Sequence, residues 1–171
     1  MFKKLFFPLV AVFMLAGCVT PPTTINVTPK ITLPQQDPSL MGVTVSINGA
    51  DQRQDQALAK VTRDNQLVTL TANRDLRFLL QEVLEKQMTA RGYMIGPSGA
   101  VGLQIIVNQL YADVSQGNVR SSIATKADIS IVAPAANGHK MNQNYRPSST
   151  VKGAFQASNQ NIPNAVNPVL T

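Results

Sequence analysis

The sequence predicts an α+β fold: an antiparallel β-sheet with a helix packed on one face, a two-layer sandwich in β-α-β-β-β-α order. Two patterns predict it. Leu76, Leu79, Leu80, Val83, Leu84, Gln87 and Met88 recur at helical spacing, so they form one apolar stripe. Between residues 101 and 155 the apolar residues instead fall largely at odd numbers: Leu103, Ile105, Val107, Tyr111, Val119, Ile123, Ile129, Ile131, Met141, Tyr145, Val151 and Phe155. A period of two puts them on one face of a sheet, which the helix stripe can cover.

The opening of the chain stands outside that fold. "LFFPLVAVFMLAGC", residues 5–18, follows Lys3 and Lys4. Its apolar run of about eleven residues rises roughly 16 Å as a helix, short of the ~20 residues that cross a bilayer. A positive start, an apolar stretch and small residues before a cut describe a secretory signal. Leu15-Ala16-Gly17-Cys18 resembles the bacterial lipobox, in which the cysteine thiol takes a diacylglycerol, the signal is removed and the new amino group is acylated. Cys18 is the only cysteine, so no disulfide forms within the chain. Residues 1–17 are therefore read as the signal peptide and Cys18 as the lipidated residue. One acyl chain binds a membrane marginally, whereas three hold it durably. By resemblance to the sorting of such lipoproteins, Val19 in place of Asp favours the outer membrane, with the domain on the periplasmic face.

Residues 18–39 read as a tether. Pro21, Pro22, Pro29, Pro34 and Pro38 block helix and favour an extended path. The spacing of Ile25, Val27, Ile31 and Leu33 offers an alternative, in which part of the tether docks as an edge strand. Residues 40–171 are long enough for one core without disulfides. Val43, Val45 and Ile47 alternate with polar residues up to Asn48-Gly49, as in a half-buried strand. Residues 50–65 are polar, with nearly cancelling charges, and read as a solvated loop able to carry binding residues. "LVTLT", 67–71, reads as a short strand. Asn73 is placed to cap the helix, Glu82 and Lys86 to pair on its wet face, and Gly92 to end it.

Parity also predicts register. Opposed residues in an antiparallel pair have numbers of constant sum, and odd faces odd only if that sum is even. A three-residue loop at 136–138 gives 274, setting Ile129 opposite Tyr145 and Ile123 opposite Val151. A loop at 116–118 sets Ile105 opposite Ile129 and Leu103 opposite Ile131. The helix would then cover one continuous apolar face. The other face carries Arg120, Lys126, Lys140, Arg146 and Lys152, candidate contacts for an anion, with Asp128 opposite Arg146. Ile106, Leu110 and Val114 fall on that face too. At the C-terminus, Pro163 and Pro168 predict a short or broken helix.

Composition excludes several functions. The chain has 15 basic and 9 acidic residues; without Lys3 and Lys4 the count is 13 against 9, a mild +4 that is no nucleic-acid footprint. No motif for a metal, nucleotide or other cofactor is present, and Asp51 and Asp55 lack the remaining ligands of a metal loop. The single His139 sits beside Asn137-Gly138, as a surface imidazole would. No catalytic constellation emerges, so no enzyme is expected.

"LPQQDPSLMGVTVSINGADQR", "ALAKVTRDNQ", "RDLRFLLQEVLEKQMTARGY" and "LQIIVNQLYADVSQGNVR" resemble the YajG family of enterobacterial lipoproteins over essentially the whole chain. The resemblance implies an outer-membrane lipoprotein and supplies no catalytic residues; only Cys18 carries over, as the lipidated position. Family members continue into a longer C-terminal helix, from which this chain departs with Pro163 and Pro168. Two functions follow as expectations. One is a non-enzymatic envelope module that binds a protein partner through residues 50–65 or the exposed sheet face. The other is a carrier or sensor of an anionic envelope lipid or lipopolysaccharide through the basic face.

Overall fold

Residues 101–116 are β-rich and almost free of Gly and Pro, and they form one long strand around which the rest of the chain assembles. The structure is a computed structural model that describes residues 23–63, 65–117, 120–134, 138–154 and 161–171. In chain order the elements are β1 (Thr23–Ile25), β2 (Thr44–Asp51), β3 (Ala57–Arg63), β4 (Gln66–Ala72), α1 (Leu76–Arg91), β5 (Met94–Ile95), β6 (Val101–Gln116), β7 (Ser121–Pro134), β8 (Lys140–Tyr145), β9 (Ser148–Gly153) and α2 (Asn161–Val166). A short 3-10 turn, Asn167–Leu170, follows α2.

The strands make one mixed sheet, α+β as expected but not in the β-α-β-β-β-α order and not purely antiparallel. β7 lies along one edge of β6. The other edge of β6 is shared by two parallel neighbours, first β2 and then β3. The parallel β2–β6 pair exists because β3, β4, α1 and β5 intervene between them, leaving chain enough for a crossover. β8 and β9 follow one another along the far edge of β7. Their registers set Ile129 opposite Tyr145 and Ile123 opposite Val151, as the parity requires. The 136–138 loop proposed for that register lies partly outside the described residues, as do Asn118, Val119 and Phe155.

Residues 57–63 are a strand, not a solvated loop. Ala57, Leu58, Ala59 and Val61 are all buried, so both faces of β3 are covered and no alternation marks it in the sequence. The tether also departs from a free spacer. β1 pairs with β4, and Ile25 and Val27 are buried in the core, which is the docked alternative for residues 23–27. Burying two such side chains contributes roughly 3–6 kcal/mol. From there to residue 37 the chain runs along α1. Gln87 Nε2 donates to the Thr32 carbonyl, Arg91 donates to the Gln35 carbonyl, and the Asp37 N–H donates to the Arg91 carbonyl.

Asp75, not Asn73, caps α1: its carboxylate accepts from the Arg77 N–H at 2.9 Å. Asn73 serves the docked segment instead, accepting from the Val27 N–H and donating to Asn26 Oδ1. Gly49 lets α1 approach β2, because a Cβ there would collide with the Arg77 carbonyl. Leu76, Leu79, Leu80 and Leu84 of α1 and Ile162, Ala165, Val166, Val169 and Leu170 of the C-terminal segment enter one core cluster. Pro163 sits within the first turn of α2 and Pro168 within the first turn of the 3-10 segment, so the terminal helix is short and broken.

Candidate functional site: a polar cleft at the bulge of β6

A single extra residue in β6 builds the site. Ile105 pairs with Ile131 and Val107 with Ile129, but the next pair is Gln109 with Asp128, which leaves Asn108 as the bulged residue. The register differs from the expected Ile105–Ile129 pairing, and parity inverts at the bulge. Below it the odd residues Ile105 and Val107 are buried; above it Leu110 and Ala112 are. Gln109 and Tyr111 therefore turn to the outer face, where Leu110 and Val114 were expected, and Val114 packs against the core. The bulge sits where the neighbour of β6 changes from β2 to β3. Gln52 N–H donates to the Val107 carbonyl there, and residues 52–56 loop outward before β3 begins.

Loop and bulge enclose an open cleft of about 500 Å³, lined by Gln52, Arg53, Gln54 and Asp55 from the loop and by Asn108, Gln109, Tyr111 and Asp128 from the sheet. Arg53 is its buried base. Its guanidinium donates to both Asp51 oxygens, at 3.0 Å from Nε to Oδ1 and 2.8 Å from Nη2 to Oδ2, and to Gln56 Oε1 at 3.0 Å. The fork geometry compensates the charge where burial would otherwise penalise it. Asp55 accepts from Lys60 Nζ at 2.7 Å and from the Ala57 N–H at 2.9 Å, and these bonds hold its carboxyl below the ordinary range. Asp128 is held low likewise, first by the Asn108 amide at 3.1 Å and then by Arg146 Nε at 2.9 Å. Behind Asn108, Ser130 accepts from the Asn108 amide and donates to Asn144 Oδ1 at 2.8 Å.

Every carboxylate and the guanidinium lining this cleft thus have an ionic partner in the protein. Among the described residues, the exposed side-chain amides of Gln52, Gln54 and Gln109 have no hydrogen-bond partner in the protein. Such a surface suits uncharged hydrogen-bonding groups, above all peptide amides, better than a free ion. It holds no activated nucleophile, and among the described residues no group of three potential metal ligands converges.

The five candidate anion contacts do not gather around the cleft. Arg146 is bound to Asp128, and Lys126 stands across from Tyr111. Lys152 lies level with Ser122 and Lys140 level with Pro134, about 12 residues apart along β7, or roughly 40 Å of strand. Arg120 precedes β7 by one residue. The separation of Lys140 from Lys152 exceeds the ~8 Å Debye length, so those two do not act on one anion, whereas Arg120 stands near Lys152. His139 is exposed beside Gly138, as expected, and Cys18 lies outside the described residues. The helix covers less of the sheet than anticipated. Met141 and Tyr145 remain 67% and 49% exposed, and a groove of about 720 Å³ opens between α1, the sheet and the C-terminal turn.

The sequence singled out residues 50–65 but not Asn108, Gln109 and Tyr111, which complete the cleft. The available clue was the switch of apolar residues from 103, 105 and 107 to 110, 112 and 114.

The fold is a small α+β domain with a polar cleft at the bulge of β6, and no described helix is long and apolar enough to cross a membrane. The chain belongs to the lipoprotein family described as "Uncharacterized lipoprotein", which it matches over residues 29–171. It is 81% identical over 171 residues to the uncharacterized lipoprotein YajG of Escherichia coli strain K12, covering all of this chain and 89% of that one, and equally to YajG of Escherichia coli O6:H1. Among solved structures it is similar to protein XCC0632 from Xanthomonas campestris, with a TM-score of 0.54 at 10% identity over 87% of this chain and 88% of that one. At that identity the likeness concerns the fold alone.

Proposed function

We propose that this lipoprotein is anchored by lipid on Cys18 at the outer membrane, faces the periplasm, and works as a non-enzymatic accessory module that binds a protein partner through the cleft between residues 52–56 and the bulge of β6. The observation that carries the reading is the cleft itself, with charges compensated within the protein and three glutamine amides left to a ligand. A partner strand or loop supplies N–H and C=O groups that match those amides without desolvating a free charge. Carriage of an anionic lipid or lipopolysaccharide by Arg120, Lys126, Lys140, Arg146 and Lys152 finds less support, because those cations are spread along the sheet and Arg146 is already paired.

Photo-cross-linking in intact envelopes tests it. A photoreactive residue at Gln54 is expected to capture one reproducible protein, and the same residue at Lys140, remote from the cleft, to capture none or another. Equal capture from both positions, or none from Gln54, overturns the reading.

A further inference from the structure

The strand registers place the entry of the lipid tether and two exposed cations at the same end of the sheet. β1 runs parallel to β4, with Thr23 beside Leu70, and Leu70 pairs with Ala59, which is level with Ala112 of β6. The upper end above that level holds two hairpin tips. In the β3–β4 tip Arg63 pairs with Gln66, and the next residue, Leu67, is 70% exposed. In the β6–β7 tip Gly117 N–H donates to the Arg120 carbonyl. Lys152 of β9, level with Ser122, stands beside this second tip. β1 starts from this end and runs away from it.

Covalent reach does the rest. Cys18 and Thr23 are five residues apart, so the lipidated residue stands no more than about 18 Å from the first docked one. The opposite end of the sheet, where Met94 pairs with Thr44 and Val45 with Val101, lies about eleven residues below the level of Thr23, or roughly 36 Å. A tether of that length cannot let the domain stand on its far end, because that pose lifts Thr23 about 36 Å from the bilayer while the anchor stays inserted.

Resting on lipidation of Cys18, we infer that the described residues flanking these tips, Leu67, Arg120 and Lys152, form a membrane-contact surface. Arg120 and Lys152 meet phospholipid phosphates and Leu67 enters the interface, which holds the domain upright and leaves the Met94 and Met141 end pointing away. Basic residues beside an anchor favour an anionic leaflet, and an exposed leucine at that depth adds apolar contact. The docked course of residues 23–37 makes this a close seat rather than a domain on a long spacer.

Because the Cys18 thiol is consumed by lipid, a cysteine introduced elsewhere is the only one open to labelling. The lipidated full chain carrying Leu67→Cys, Met94→Cys or Met141→Cys, labelled with an environment-sensitive fluorophore, is reconstituted in vesicles of phosphatidylethanolamine and phosphatidylglycerol containing a headgroup-nitroxide lipid. Quenching at position 67 is expected to exceed that at 94 and 141 by at least ~5-fold, and Arg120→Glu with Lys152→Glu to bring the ratio towards one. Equal quenching at all three sites in chains that float with the vesicles overturns the orientation while leaving the anchor intact. Failure of the wild-type chain to float overturns the anchor and the orientation together.

Discussion

The Asn108 side-chain amide donates to the Ser130 hydroxyl at 2.6 Å, tying the extra residue of β6 to the strand beside it. The bond stabilises the bulge that turns Gln109 and Tyr111 outward and Leu110 and Ala112 inward. Asn108→Ala is expected to lower unfolding free energy by about 1 kcal/mol, the worth of an ordinary hydrogen bond. Deletion of Asn108 joins the two halves of β6 in one continuous register that keeps Gln109 outward and Leu110 inward, but it removes both Asn108 side-chain bonds and shifts Ala112 against Ala59, so the variant is expected to fold cooperatively with a loss of about 2–3 kcal/mol. Urea denaturation of the two variants distinguishes them; a deletion variant as stable as wild type contradicts the role of the bulge.

Arg53 and Asp51 form the buried base of the cleft, with side chains 4% and 12% exposed. Arg53→Ala leaves a carboxylate with no counter-charge and is expected to cost about 3–5 kcal/mol, whereas replacing both residues by apolar ones of similar size is expected to cost less. Chemical denaturation of both variants reads the difference, and a double variant no better than Arg53→Ala contradicts it.

Gly49 faces the first turn of α1, where an added Cβ would collide with the backbone carbonyl of Arg77. Backbone cannot step aside as the end of a flexible side chain can. Gly49→Ala is expected to destabilise by about 1–3 kcal/mol, measured as a lowered Tm, while Gly102→Ala, whose Cβ would meet only the Ser46 hydroxyl at an ordinary 3.5 Å, is expected to cost less.

Asp128 gives the pH dependence. Its carboxyl is depressed by the Asn108 amide and by Arg146, so its contribution is fully present above the unfolded value near ~3.9 and is lost as pH falls through the lower folded value. The stability difference between wild type and Asp128→Asn is therefore expected to be flat from pH 8 to about pH 5 and to shrink below about pH 4. A difference that vanishes near pH 6 contradicts the assignment.

How far the sequence reached is clearest strand by strand. The pairing of β7 with β8 and β9 was legible because Ile123, Ile129, Tyr145 and Val151 keep one parity with no bulge between them. The register of β6 was not, since one inserted residue changes it without changing composition. β3 escaped because "ALAKVTR" has small residues buried on both faces, and the parallel β2–β6 contact because it forms across four intervening elements. Asn73 was a reasonable cap by type, yet the Val27 N–H claims it. Arg53 lay within the segment marked for binding, but its burial depends on the sheet beneath it.

The lipid on Cys18 decides whether the cleft and the hairpin tips have the setting described above. Intact mass of the chain extracted from envelopes tests it most directly. The expected species begins at Cys18 and carries a diacylglycerol and one further acyl chain; a chain beginning at another residue, or with Cys18 unmodified, contradicts the account.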